Sequence, residues 1–256
     1  MGKTFAVSDL HGMIEIYYQI KEMLQPEDHI YCLGDMGDRG TDCWETIKVI
    51  MNDPQFEVIK GNHEDMLVNL MKIALDIPED EKEIVWYCRE GELVSWNGGI
   101  ETFNGWMKES FTERSKWYRK LKELPTHLEY TNKNGKKIYM SHAGWTPYNY
   151  DDIPVDEDLI WDRSHYMCEW PHEAPEDIIV VHGHTPIEYL DDDRHIFHRN
   201  PYTRPIFPLA YWYADHHKCC IDNGVFYTQC TVMLDLDTFE EHKFYTKSYD
   251  PDAIWD

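Results

Sequence analysis

A chain of 256 residues with 42% hydrophobic and 14% aromatic side chains is long enough to bury a sizeable core, which excludes a disordered chain. Its 24 basic against 48 acidic residues give a formal charge of −24, so its surface would repel nucleic acid and anionic membranes rather than collect them. An anionic ligand would have to be captured locally, by metal ions or by arginines.

The seven cysteines (Cys32, Cys43, Cys88, Cys168, Cys219, Cys220 and Cys230) contain no C-x-x-C pair, which argues against a zinc ribbon or a thioredoxin-like motif. Reduced thiols and a cytoplasmic location are the expectation. The opening "MGKTFAVSD" runs straight into a strand pattern without the apolar stretch of a signal peptide. Ala6 stands where N-myristoylation needs Ser or Thr, and no uncharged run is long enough to cross a bilayer.

In chain order, "TFAVSD" reads as a strand, "MIEIYYQIKEML" as an amphipathic helix, "HIYCLGD" as a strand, and "CWETIKVIMND" as a helix. "FEVIKGNH" reads as a third strand and "EDMLVNLMKIAL" as the helix after it. That alternation predicts βαβ units and a parallel sheet, with functional groups at the carboxyl ends of its strands. Residues 80–125 read as a helical cap packed by Trp86, Trp96, Trp106 and Trp117. After Pro125, two strand-like runs around Asn134-Gly135 predict a hairpin, and further strands are expected at "DIIVVHGHT", "KCCIDNGV", "TQCTVMLDLD" and "EHKFYTK". The proline-bearing stretch 189–213 reads as a long loop, and a single domain is expected across 1–256.

The chemistry concentrates where these runs end. The first predicted strand ends in Asp9-Leu10-His11-Gly12, the second in "GDMGDRG" (34–40), and the third in Gly61-Asn62-His63-Glu64. One such heptapeptide is commonly a surface turn. Several strand ends carrying metal-capable groups are another matter. Asp9 and His11, two apart on a segment read as extended, point the same way and can chelate one cation. Asp35 can bridge to a second cation, which Asn62 could join, and His142, His182 and His184 follow at later strand ends. Carboxylate, amide and imidazole without thiolate suit Mn²⁺, Fe or Zn²⁺, and two such ions can clamp a phosphoryl group and acidify a water. Arg39 would then bind phosphoryl oxygens.

"DLHG", "GDMGDRG", "GNHE", "HAG" and "GHT", in this order over residues 9–185, closely resemble the signature blocks of the PPP-type serine/threonine phosphatases within the calcineurin-like metallophosphoesterases. Within that family the chain looks most like the short bacterial and phage members, of which lambda phosphatase is the familiar example, and "SWNGGIET" is similar to a Trp–Gly–Gly–Thr segment of the bacterial forms. The resemblance implies an α/β fold with a central β-sandwich flanked by helices, in α/β/β/α layers. It also implies two divalent metal ions, Mn foremost with Fe or Zn as alternatives. Asp9, His11 and Asp35 would hold the first, with Asp35 bridging to a second completed by Asn62, His142 and His184. His63 would be the general acid oriented by Asp38, and Arg39 and Arg163 would clamp the phosphoryl oxygens. His182 could ligate metal, but His184, in "GHT", matches the family position, so His182 would either support a ligand from behind or be structural.

Departures from the pattern are Gly37, where relatives carry a bulkier apolar residue, Thr41-Asp42 in place of a Pro-containing continuation, and "HAG" for "HGG". The implied activity is hydrolysis of phosphoserine, phosphothreonine or phosphotyrosine in a phosphoprotein or phosphopeptide by a metal-bridging hydroxide, with no nucleic-acid or membrane partner. Two alternatives share these residues. One is a symmetrical bis(5'-nucleosyl)-tetraphosphatase acting on diadenosine tetraphosphate, and the other is a low-activity metal-binding scaffold.

Overall fold

A computed structural model describes residues 2–145, 156–163, 165, 168–172, 174–187, 190 and 208–250. Its first third is β1 (Thr4–Val7), α1 (Ile14–Met23), β2 (His29–Cys32), α2 (Cys43–Asn52), β3 (Phe56–Val58) and α3 (Asn62–Asp76). β1, β2 and β3 are parallel neighbours, with Ala6 opposite Tyr31 and Ile30 opposite Phe56, as two βαβ units require. Each helix turns an apolar stripe inward at helical spacing: Ile16, Tyr17 and Ile20 on α1, and Trp44, Ile47 and Ile50 on α2.

A 3₁₀ segment (Glu79–Tyr87) and the helices α4 (Arg89–Trp96), α5 (Ile100–Met107) and α6 (Phe111–Lys122) make up the segment read as a cap. Trp106 and Trp117 are buried in it, whereas Trp96 is 81% exposed, so the expected four-tryptophan packing of the cap is corrected to exclude it. The chain continues through the hairpin β4 (His127–Thr131) and β5 (Lys137–Ser141), then α7 (Asp156–Trp161), β6 (Ile178–His182), β7 (Tyr211–Tyr213) and β8 (Lys218–Cys220). It ends with α8 (Val225–Thr228), β9 (Cys230–Asp235) and β10 (Glu241–Tyr245).

Among the described residues two five-stranded sheets result, ordered β10-β9-β1-β2-β3 and β4-β5-β6-β8-β7. Side chains alternate across them. Phe5 and Val7 face the layer of α1, α2 and α3, while Ala6 joins Ile138, Met140, Val181, Cys219, Val232 and Leu234 in the core between the sheets. On the far face of the second sheet, Tyr139, Ile178 and Val180 pack with Leu159 of α7. The α/β/β/α layering is therefore the one expected, and no helix among the described residues is long and apolar enough to cross a membrane.

Three expectations are corrected. Asn62, His63 and Glu64 open α3 rather than end a strand, because the Glu64 side chain accepts the Gly61 N–H and caps the helix there. Part of the predicted 189–213 loop is a strand, since Tyr211–Tyr213 pairs antiparallel with β8 through Tyr211–Cys220 and Tyr213–Lys218. Residues 189 and 191–207 of that loop lie outside the described residues. Asp9 and His11 are not extended: their φ values of 54° and 42° are left-handed. That turn lets Asp9, His11 and Gly12 donate backbone N–H groups to Gly34, Asp35 and Met36, extending the β1–β2 pairing past the strands.

Candidate metal centre and acid pair

The expected residues converge at the carboxyl ends of both sheets. Asp9 follows β1, Asp35 follows β2, Asn62 and His63 open α3 after β3, His142 follows β5 and His184 follows β6. Asp35 lies at the centre. Its Oδ1 accepts the His63 N–H at 3.0 Å at the N-terminus of α3 and stands 3.4 Å from His142 Nε2. Its Oδ2 stands 3.8 Å from His11 Nε2 and 3.7 Å from His63 Nε2. One carboxylate thus faces two groups of ligating atoms. Asp9, Asp35 and His142 offer atoms all within 4.8 Å of one another, as do His11, Asp35 and His63.

The imidazoles are oriented by their outer nitrogens. His142 Nδ1 donates to Leu33 O at 2.7 Å and His11 Nδ1 to Gly37 O at 3.0 Å, leaving each Nε2 turned inward. Asn62 Oδ1 lies 2.9 Å from His142 Nε2 and 2.8 Å from His184 Nδ1. The backbone approaches these groups closely. A Cβ on Gly183 would meet Asp9 Oδ2 at 2.1 Å, and one on Gly61 would meet Asp35 Oδ1 at 2.2 Å, so both positions require glycine.

Burial governs the charges. Burial first, and then Asp35 beside it, push the Asp9 carboxyl up to about 6. Burial works against Asp35 too, yet His142 and His63 hold it well below the usual carboxylate range. His142 is raised to about 10 because Asp35 and Asp9 outweigh its burial. Burial and then the His142 charge depress His184 to about 2, and burial, His63 and Arg39 depress His11. A buried cluster in which His142 keeps its proton beside Asp35 and Asp9, while His11 and His184 are held neutral, is a donor set that divalent cations fit in place of protons.

His63 and Arg39 stand on the same rim. His63 Nδ1 donates to Asp38 Oδ2 at 2.6 Å, and although burial opposes its charged form, Asp35 and Asp38 raise its pKa. Arg39 donates from Nη1 to His11 Nε2 at 3.1 Å and from Nη2 to His63 Nε2 at 2.9 Å. Arg163 is exposed, donates to Thr185 Oγ1 at 3.3 Å and helps depress His184, which puts its charge at the His184 end of the site. His182 faces away, its Nε2 2.6 Å from the Tyr213 hydroxyl.

Two residues quoted in the sequence motifs without a role of their own contribute to the site. Glu64 Oε2 accepts the backbone N–H groups of Asp35 at 2.8 Å and Gly61 at 2.9 Å, while Oε1 accepts that of Met36 at 2.9 Å. Thr102 of α5 binds Asp38 through both its backbone and its carboxylate. The capping-box position signals the first, and nothing local to residue 38 signals the second.

The family model described as calcineurin-like phosphoesterase matches residues 2–219. The chain belongs to the calcineurin-like phosphoesterases. Solved structures resembling this phosphoesterase include a candidate diadenosine tetraphosphatase, with TM-score 0.57 and 14% identity over 96% of this chain and 95% of that one. A metallophosphoesterase from Sphaerobacter thermophilus aligns with TM-score 0.51 and 14% identity, over 96% and 89% of the two chains. A mutant of a cold-active protein tyrosine phosphatase aligns with TM-score 0.54 and 15% identity, over 96% and 78%. At such identities the likeness is one of fold. No curated protein sequence matches the chain.

Proposed function

We propose that this phosphoesterase is a metal-dependent protein phosphatase that hydrolyses phosphoserine and phosphothreonine, with phosphotyrosine as a further substrate. The observation that carries the reading is the placement of Arg39, whose guanidinium spans His11 Nε2 and His63 Nε2 at 3.1 and 2.9 Å while Asp38 backs His63 at 2.6 Å. A cation reaching from the metal-ligating side to a carboxylate-supported imidazole suits a phosphoryl group with its leaving oxygen toward His63.

Asp9, His11 and Asp35 would hold one divalent ion, and Asp35, Asn62, His142 and His184 the other, with manganese the favoured metal. Bound there, the ions supply charge against the phosphoryl oxygens and a water acidified for attack at phosphorus. The chain's own groups do the rest. Arg39, and Arg163 from the His184 end, bind the outer phosphoryl oxygens. Asp35 and Asp38 favour the protonated form of His63, whose Nδ1–H stays on the Asp38 carboxylate; with Arg39 turned to the phosphoryl oxygens, its Nε2–H gives its proton to the departing serine or threonine oxygen.

The formal charge of −24 supports a substrate with basic surroundings over a polyanionic dinucleotide. The test is kcat/KM of the manganese-loaded protein on a phosphothreonine peptide and on diadenosine tetraphosphate, with a metal-stripped control. The peptide is expected to be preferred and the stripped protein inactive. Preference for the dinucleotide would replace this reading with the tetraphosphatase one, and inactivity on both would favour the scaffold.

A further inference from the structure

Thr102 lies in the cap, far along the chain from Asp38, and is fully buried against it. Its hydroxyl accepts the Asp38 backbone N–H at 3.0 Å and donates to Asp38 Oδ1 in a short hydrogen bond. Both ends of Asp38 are thereby fixed by one hydroxyl, leaving Oδ2 for His63 Nδ1 at 2.6 Å.

The turn leading into α5 supports the same loop. Gly98 O accepts the Arg39 N–H at 2.9 Å, and a Cβ on Gly98 would stand 3.0 Å from Arg39 Cγ. A Cβ on Gly99 would stand 2.9 Å from Asp38 Oδ2 and 2.7 Å from Val94 Cγ1. Asp38 and Arg39 both have φ of 66°, a left-handed conformation that non-glycine residues hold only where neighbours enforce it. Those neighbours are the "SWNGGIET" residues, so the cap supplies one wall of the loop that carries both Asp38 and Arg39.

We propose that Thr102 is a positioning residue for the proton donor: by clamping Asp38 it aims Oδ2 at His63 Nδ1 and so holds His63 Nε2 toward the leaving oxygen. This rests on the phosphoesterase reading above. The clamp matters only where the leaving group needs a proton. A serine alkoxide needs one, whereas p-nitrophenolate, a weak base, departs without it. A threonine that merely stabilised the fold would affect both substrates alike.

The experiment measures kcat and KM of the manganese-loaded wild type, Thr102→Val and Thr102→Ser on a phosphoserine peptide and on p-nitrophenyl phosphate. Thr102→Val is expected to lose on the order of 10²-fold in kcat on the peptide, the scale of general acid catalysis, with KM and the p-nitrophenyl phosphate rate changed by less than about threefold. Thr102→Ser restores the hydroxyl and should restore the peptide rate. If Thr102→Val does not fold, Thr102→Cys carries the same contrast with a weak thiol donor. Equal losses on both substrates, no loss on either, or failure of Ser to rescue would each overturn the positioning role. A wild type that hydrolyses neither substrate would overturn the phosphoesterase reading and this proposal together.

Discussion

Glu64 holds the backbone of Asp35 in place: its Oε2 accepts the Asp35 N–H at 2.8 Å and its Oε1 the Met36 N–H at 2.9 Å, from the first turn of α3. The same Oε2 accepts the Gly61 N–H, so one buried carboxylate ties the loop after β2 to the start of α3, the two segments that carry Asp35, Asp38, Asn62 and His63. Glu64→Gln would turn an amide N–H₂ toward at least one of these backbone donors. An unsatisfied buried N–H costs about 1–3 kcal/mol, so denaturant unfolding should show a loss of that size. Metal affinity should fall ~10–100-fold with it, as for other groups that orient ligands from behind. A variant matching the wild type in both measurements would show that the tie is dispensable.

Gly183→Ala tests the crowding around Asp9. The added Cβ would stand 2.0 Å from Ser8 Oγ and 2.1 Å from Asp9 Oδ2, and neither partner has room to retreat, being buried with 0% and 2% exposure. Asp9 should be displaced. The expected result is a protein with reduced metal content and a lower thermal midpoint, read by elemental analysis and calorimetry; unchanged metal content would mean that Asp9 tolerates the shift.

Two of the cap tryptophans should behave oppositely. Trp106 is fully buried and its Nε1 donates to Arg114 O at 3.1 Å, so Trp106→Ala should cost about 3–5 kcal/mol of folding stability. Trp96, 81% exposed, should change stability by no more than about 0.5 kcal/mol when replaced by Ala. Comparable losses in denaturant melts would contradict the packing described.

That contrast marks what could be read from the sequence. The helical periodicity of residues 80–125 gave away the cap, but periodicity cannot say that Trp96 sits on its outer surface while Trp106 lies inside. Asp9, Asp35, His142 and His184 are legible because each follows a short apolar run with strand character, and strand ends of such sheets gather at one edge. The left-handed turns at Asp9 and His11 are not, since they follow from the pairing of the β1 and β2 loops. Thr102 stands in the quoted "SWNGGIET" segment, but its role is not legible there for a related reason: its partner is 64 residues away, and only the docking of the cap brings them together. β7 was missed because three residues in a proline-bearing stretch carry too little pattern to stand out.

Lys218 gives a pH-dependent prediction away from the metal centre. It is fully buried in β8, where it donates to His165 O and Cys168 O and lies 5.7 Å from the Tyr213 ring centroid, with His182 close by. Burial lowers its ammonium from 10.5 to about 8. Below pH 8 both folded and unfolded chains carry the proton, and the full cost of burying the charge stands. Between 8 and 10.5 the folded chain binds fewer protons, so this group's penalty shrinks as pH rises. The stability of Lys218→Met relative to wild type should therefore fall by about 1 kcal/mol from pH 7 to pH 9, because a shift of one pKa unit is worth about 1.4 kcal/mol. A difference independent of pH would mean that Lys218 keeps an ordinary pKa.

The most direct test of the metal centre is the number of divalent ions per chain, measured by elemental analysis after manganese loading, in the wild type, Asp35→Asn and His63→Ala. Asp35 faces both groups of ligating atoms, whereas His63 Nδ1 is committed to Asp38 and its Nε2 to Arg39. The account predicts two ions in the wild type, two in His63→Ala and loss of both in Asp35→Asn. An Asp35→Asn protein that keeps two ions, or a His63→Ala protein that loses one, would contradict the division of this site into a bridged metal pair and a separate proton donor.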